Sequence, residues 1–167
     1  DLGSDVVFGG SGADTIDAGS TSTVSDADVI LGDNGAAVFN VNEQLETAAS
    51  TDTEVGGNDV INSGADRDVV IGGFGDDQIN SGSGNDLVFG DNAELNYAID
   101  GDPTGLDLAT TIAPTDGGAD IIVSGAGEDL VFGGTADDAI SGGEDHDVLL
   151  GDHGLFDATL PANQNFV

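Results

Sequence analysis

Short aliphatic runs recur along this chain on a fixed clock. Val7, Ile16, Ile30, Ile61, Val70, Ile79, Val88, Ile122, Val131, Ile140 and Leu149 each stand two places after an aspartate. Most neighbours in that series are nine residues apart. The segments between runs are rich in glycine, which permits positive φ and close approach of backbones. Each unit therefore reads as a tight turn and a three-residue, largely β-branched strand, with its middle side chain on one face. Two units close one coil of 18 residues, and stacked coils put parallel strands about 4.8 Å apart. The predicted fold is all-β: a parallel solenoid whose two sheets share a thin aliphatic core. Counting slots along the whole chain predicts roughly eight or nine coils, a stack of about 40 Å.

The residues flanking each core position point outward, and their polarity alternates. One set reads Val6/Phe8, Val29/Leu31, Val69/Ile71, Leu87/Phe89, Leu130/Phe132 and Val148/Leu150. The other reads Thr15/Asp17, Val60/Asn62, Gln78/Asn80 and Ala139/Ser141, with Ile121/Val123 as the exception. Alternate slots belong to alternate sheets, so one sheet is predicted to be apolar on both faces.

A longer period lies above the short one. Marked units begin at Gly32 ("GDNGAAVFN"), Gly90 ("GDNAELNYA") and Gly151 ("GDHGLFDAT"), 58 and 61 residues apart. In each, the sixth position has lost its acid (Ala37, Leu95, Phe156) and an aspartate stands second (Asp33, Asp91, Asp152). Less regular stretches follow, at about 41–53 and 99–114. The domain expected is a single one over 1–167, with super-repeats at about 1–53, 54–114 and 115–167, cut from a longer tandem array. An apolar outer face of this size is seldom left wet. Either the irregular stretches fold over it, or another chain or module docks there. For the first, "NVNEQLETAAS" (40–50) suggests a short amphipathic helix presenting Val41, Leu45 and Ala48, and "LDLATTIAP" (106–114) offers Leu106, Leu108 and Ile112.

Charge changes the picture. The 167 residues carry 33 acids against one base, Arg67, for a formal charge of -32. Self-repulsion on that scale opposes compaction unless a cation neutralises it. Nucleic acid and other polyanions are excluded as partners by the same imbalance. The absence of cysteine excludes disulfides and thiolate metal sites. No apolar run approaches the roughly 20 residues of a membrane span, so no membrane insertion is expected. The chain opens in mid-repeat at Asp1 with no signal peptide, as an excised segment would.

The acids that keep the clock are Asp5, Asp14, Asp28, Asp59, Asp68, Asp77, Asp86, Asp120, Asp129, Asp138 and Asp147. In a stack of 18-residue coils, Asp59 lies over Asp77, Asp68 over Asp86, Asp120 over Asp138 and Asp129 over Asp147. Such piling is repulsive in water and worse when desolvated. Bound Ca²⁺, which takes six to eight oxygens from carboxylates and carbonyls, reverses that sign. Magnesium suits carbonyl-rich cages less well, and zinc prefers nitrogen and sulfur.

The units "GGSGADTID" (9–17) and "GGFGDDQIN" (72–80) match the pattern G-G-x-G-x-D-x-U-x in full, and the chain resembles the RTX calcium-binding nonapeptide family. "SGSGNDLVF" (81–89) and "SGAGEDLVF" (124–132) differ only by Ser at the first place, while units at 63–71, 133–141 and 142–150 lack the third glycine. The resemblance implies a right-handed parallel β-roll with several Ca²⁺ ions between successive turns on both edges. It implies metal ligation by the clock aspartates together with turn glycines Gly9, Gly10, Gly12, Gly72, Gly73, Gly75, Gly82, Gly84, Gly125 and Gly127. It also implies folding on export into calcium, often by type I secretion, in a secreted or cell-surface bacterial protein. The long insertion before Asp28 interrupts one turn.

Other candidates carry less. Asp33, Asp91 and Asp152 read equally as caps or ligands. "DGDPTG" (100–105) begins like an EF-hand loop, but Thr111 stands where its closing glutamate belongs, which leaves Asp100 and Asp102 in an exposed turn. His146 and His153 sit in turns, outside any H-E-x-x-H motif. No G-x-S-x-G elbow exists, and catalysis has no visible home. The function expected is a non-catalytic calcium-folded stalk or fibre segment of an adhesin-like protein, with itself or neighbouring repeats as partner, end to end or through the apolar face. The alternatives are the C-terminal secretion module of an extracellular hydrolase, or a sugar- or ice-binding segment.

Overall fold

The computed structural model describes residues 3–19, 27–161 and 165–166. Strands, numbered in chain order, fall into three sheets among these residues. The first is all parallel, in the order β1 (Val6–Phe8), β3 (Val29–Leu31), β7 (Val69–Gly73), β9 (Leu87–Asp91), β13 (Leu130–Phe132) and β15 (Val148–Leu150). The second, also parallel, runs β2 (Thr15–Asp17), β6 (Val60–Asn62), β8 (Gln78–Asn80), β12 (Ile121–Ala126) and β14 (Ala139–Glu144). The chain alternates between them, so each turn-plus-strand unit is half a coil. This is a parallel β-roll.

Register follows the clock. Val7, Ile30, Val70, Val88, Val131 and Leu149 pair in series across the first sheet. Ile16, Ile61, Ile79, Ile122 and Ile140 do so across the second. These side chains form the thin inter-sheet core, in which Ile30, Val70, Val88, Ile122 and Val131 are fully buried. Leu149 is the exception at 45% exposed. Its strand β15 lies at the edge of the six-stranded sheet, and the five-stranded sheet opposite it already ends at β14.

The irregular stretches are ordered as strands. β4 (Gly35–Phe39), β5 (Leu45–Ser50), β10 (Ala93–Asn96), β11 (Leu108–Thr111) and β16 (Leu155–Asp157) make a third, antiparallel sheet in the order β4-β5-β10-β11-β16. It lies on the outer face of the first sheet. Ala48, Ala93, Leu95, Tyr97 and Ala109 from this layer form one cluster with Val29, Leu31, Val69, Ile71, Leu87, Phe89 and Phe132. The middle strands of the first sheet are therefore buried on both faces, as Val69–Gly73 and Leu87–Asp91 show at every residue, while Val6 and Phe8 at one end and Val148 at the other stay exposed. Gln78–Asn80 of the second sheet buries only Ile79. We call them the covered sheet and the open sheet.

Two expectations are corrected. Residues 40–50 form a hairpin turn and strand, not a helix, and Val41 is 98% exposed at the turn. Leu45 and Ala48 do pack on the covered sheet's cluster. Three apart, they would fall on opposite faces of a regular strand, but the register shift that skips Glu46, where Thr47 pairs Val38 and Leu45 pairs Phe39, brings them to one face. The roll is also shorter than the slot count: six and five strands make about five and a half coils, on the order of 25 Å. The missing length lies in the hairpins, which leave the roll sideways and return in register. The insertion before Asp28, residues 20–26, lies outside the described residues.

Candidate metal centre

The turns join the sheets along two edges. Where the chain passes from covered to open sheet, the acids in spatial order are Asp14, Asp59, Asp77, Asp120 and Asp138. On the other edge they are Asp5, Asp28, Asp68, Asp86, Asp129 and Asp147. Each acid is tied to the next coil in the same way: its N–H donates to Oδ1 of the aspartate one coil on. Asp14 donates to Asp59, Asp59 to Asp77, Asp77 to Asp120 and Asp120 to Asp138. Asp5 donates to Asp28, Asp28 to Asp68, Asp68 to Asp86, Asp86 to Asp129 and Asp129 to Asp147. These bonds measure 2.7–3.2 Å. The four pairs expected 18 residues apart are among them, and the hairpin insertions merely lengthen other steps to 40, 43 and 45.

The second carboxylate oxygen is left over. Oδ2 of Asp14, Asp59, Asp68, Asp77, Asp86, Asp120, Asp129 and Asp138 is buried with no hydrogen-bond partner. Asp59, Asp68, Asp77 and Asp120 are at most 1% exposed. A buried, unpaired carboxylate oxygen is among the costliest groups to leave unsatisfied. Two unit charges one strand apart repel by roughly 3 kcal/mol even at an effective dielectric of about 20. Each N–H bond to a carboxylate returns about 1.5–3 kcal/mol, so the ladder does not sustain its full charge alone. Burial, reinforced by neighbouring carboxylates, pushes Asp77 up to about 8 and Asp120 to about 9. Asp59 and Asp138 are raised for the same first cause. On the other edge burial raises Asp68 to about 7 and Asp86 to about 6.

The space beside the orphaned oxygens is shaped by glycine. A Cβ on Gly9, Gly32, Gly72, Gly90 or Gly133 would lie within 3.0 Å of both an aspartate Oδ2 and the carbonyl oxygen of a glycine one coil on. At Gly72 the pair is Asp77 Oδ2 and Gly90 O; at Gly90 it is Asp120 Oδ2 and Gly133 O. Two oxygens face the same small space with no donor between them, which suits a hard cation with oxygen ligands. Among the described residues no three acidic, histidine or cysteine side chains converge on one point. The cradle is accordingly one carboxylate oxygen with main-chain carbonyls, and the residues fit Ca²⁺ better than they fit zinc. Gly84 shows how closely the turns stack: its φ is 145°, and a Cβ there would press on the Asp66 carbonyl.

Three features were not legible beforehand. Asp33 accepts from the Gly57 N–H at 3.2 Å and the Phe74 N–H at 2.6 Å, and Asp91 accepts from Gly118 at 2.8 Å and from Thr135. Both are therefore clamps that fasten the point where the chain leaves the roll to the point where it returns. Burial raises the Asp33 carboxyl to about 7 and raises Asp91 as well. Asp152 is exposed. Second, units that lack the third glycine still adopt its left-handed backbone, at Asp66 (φ 73°), Ala136 (φ 74°) and Asp145 (φ 78°). Third, serine at the first place of a unit is confined to one edge, a parity visible in the sequence once the two edges are separated. Asp100 and Asp102 lie in an exposed loop of side-chain-to-backbone turns.

A parallel roll of glycine-rich turns lined by carboxylate and carbonyl oxygens defines a class of β-solenoids. The model of the RTX calcium-binding nonapeptide repeat matches residues 1–21, 55–88 and 114–149, more than half of the chain, and the chain belongs to that family. The matched segments carry most of the roll's strands, and the intervals between them contain the hairpins together with β3. RTX repeats bind calcium and are typically found in secreted bacterial proteins. No curated protein and no solved structure matched the chain. No helix of the described residues is long and apolar enough to cross a membrane.

Proposed function

We propose that this chain is a non-catalytic structural segment whose folding is switched on by Ca²⁺, and that it forms part of a stalk or fibre outside a bacterial cell. The observation that carries the reading is the file of buried, unpartnered Oδ2 atoms along both edges. Ligands are assigned to the clock aspartates Asp5 to Asp147 and to carbonyls of the glycine turns. A calcium-poor interior keeps the chain extended for export; millimolar calcium outside closes the turns. Metal binding and folding are then one event.

The stalk assignment is supported by the long repeat. Each hairpin pairs edge to edge with the next, β5 with β10 and β11 with β16, so the covering layer propagates along the roll as the coils do. Such nearest-neighbour stacking suits extension through neighbouring repeats. The test is circular dichroism during calcium titration, with magnesium as control. The expected result is a coil spectrum without metal, a β spectrum near millimolar calcium, and a much weaker response to magnesium. An unchanged spectrum across the titration overturns the reading.

A further inference from the structure

The two turn edges differ at the first residue of the turn in the middle coils. On the edge leaving the covered sheet, the first place of each turn is glycine: Gly9, Gly32, Gly72, Gly90, Gly133 and Gly151. On the opposite edge it is Ser63, Ser81 and Ser124 in the middle of the stack, all at most 1% exposed. Their hydroxyls form a ladder of their own. Ser63 Oγ donates to the Ser81 carbonyl at 3.1 Å, Ser81 to Ser124 at 3.0 Å, and Ser124 to Gly142 at 3.0 Å.

The consequence is an accounting of lone pairs. A carbonyl oxygen has two. The Ser81 carbonyl accepts the Gly64 N–H at 3.2 Å and the Ser63 hydroxyl, which uses both. On the glycine edge the Gly32 carbonyl accepts the Gly10 N–H at 3.1 Å, and its remaining lone pair shares the space beside Gly9 with Asp14 Oδ2. The serine edge therefore couples coil to coil without a cation and withdraws a carbonyl ligand from any ion. The glycine edge couples its carboxylate and carbonyl only through one.

We propose that the edges are unequal divalent-cation sites: a tight glycine edge built on Asp59, Asp77 and Asp120, and a weaker serine edge built on Asp68, Asp86 and Asp129, with serine hydroxyls standing in for part of the ion's work. This rests on the calcium reading above and adds to it an order of filling. The glycine edge fills first, and the serine edge holds the coils in register while it does.

The test is calcium titration calorimetry on the whole 167-residue chain, with bound ions counted by native mass spectrometry. Two classes of site are expected, separated by about tenfold or more, the difference one hydrogen-bonded ligand makes. Asp77→Asn is expected to remove ions from the tight class and Asp86→Asn from the weak class alone. The combined variant Ser63→Gly, Ser81→Gly, Ser124→Gly frees the carbonyls, and its weak-class midpoint is expected to fall about tenfold toward the tight one. A single class of sites, equal losses in the two aspartate variants, or an unmoved midpoint in the serine variant each overturn the inequality of the edges and leave calcium-driven folding standing. Failure of the wild-type chain to take up calcium at all overturns both.

Discussion

The covered and open sheets are made from the same nine-residue unit, and they differ only in what flanks the core residue. On the covered sheet Leu87 and Phe89 flank Val88, and all three are buried. On the open sheet Gln78 and Asn80 flank Ile79, and only the isoleucine is buried. The open sheet needs nothing beyond the roll, and its Asn80, Asn62 and Asp17 side chains bond to one another across the strands. The covered sheet needs a lid, and the marked units supply it. There the sixth place, elsewhere a turn aspartate, is Ala37, Leu95 or Phe156, and each packs onto the cluster over the covered sheet. The units that leave the roll thus carry an apolar sixth residue that packs on the cover and, at Asp33 and Asp91, a second-place aspartate that clamps the exit. The comparison separates apolar burial on one face from the carboxylate-lined turns on the edges, where the proposed ions would act.

The largest expected effect breaks the covered side. Phe89 is fully buried and stacks on Phe132 at 4.8 Å with planes 7° apart. Phe89→Ala is expected to lower stability in calcium by about 3–5 kcal/mol, read by denaturant unfolding. Asn80→Ala on the open face is expected to change it by about 0.5 kcal/mol or less. Next comes the clamp that lets a hairpin leave the roll. Asp33→Ala strands the Gly57 and Phe74 N–H groups and is expected to cost about 2–3 kcal/mol in the same assay.

Acidity sharpens the edge side. In the metal-free fold Asp77 and Asp120 hold protons up to about 8 and 9, against 3.8 for an unperturbed carboxyl. Between about pH 4 and pH 8 the folded state binds more protons than the unfolded chain, so metal-free stability falls as pH rises through that window. In chelator, the β signal is expected to be stronger at pH 5 than at pH 8. In calcium the order reverses, because protons compete for the ligand oxygens. The smallest effect concerns the degenerate turns. Ala136 sits at φ 74° where other units have glycine, and Ala136→Gly is expected to add about 1 kcal/mol, a rise of about 2–4 °C in Tm with calcium present.

Much of this was legible from residue spacing. The nine-residue clock set strand, register and core at once, because turn, acid and aliphatic residue each report a different part of the same unit. The polarity of Val69/Ile71 against Gln78/Asn80 separated the sheets and called for a cover. What the cover is made of was harder to read. Leu45 and Ala48 are three apart and fit a helical face, and only the partner strands β4 and β10 decide for a strand. The clamp role of Asp33 and Asp91 was hidden for a related reason, since their partners lie 24 to 44 residues away across the hairpin. The hydroxyl ladder depends on one carbonyl receiving two donors, which spacing alone does not express.

The central claim is that the compact state depends on divalent ions between the turns, and small-angle X-ray scattering with and without chelator addresses it most directly. A folded chain of this length has a radius of gyration of about 15 Å and an unfolded one about 40 Å. At neutral pH the account predicts the larger value in chelator and the smaller in millimolar calcium, reversibly. A compact radius that persists in excess chelator at that pH would contradict it.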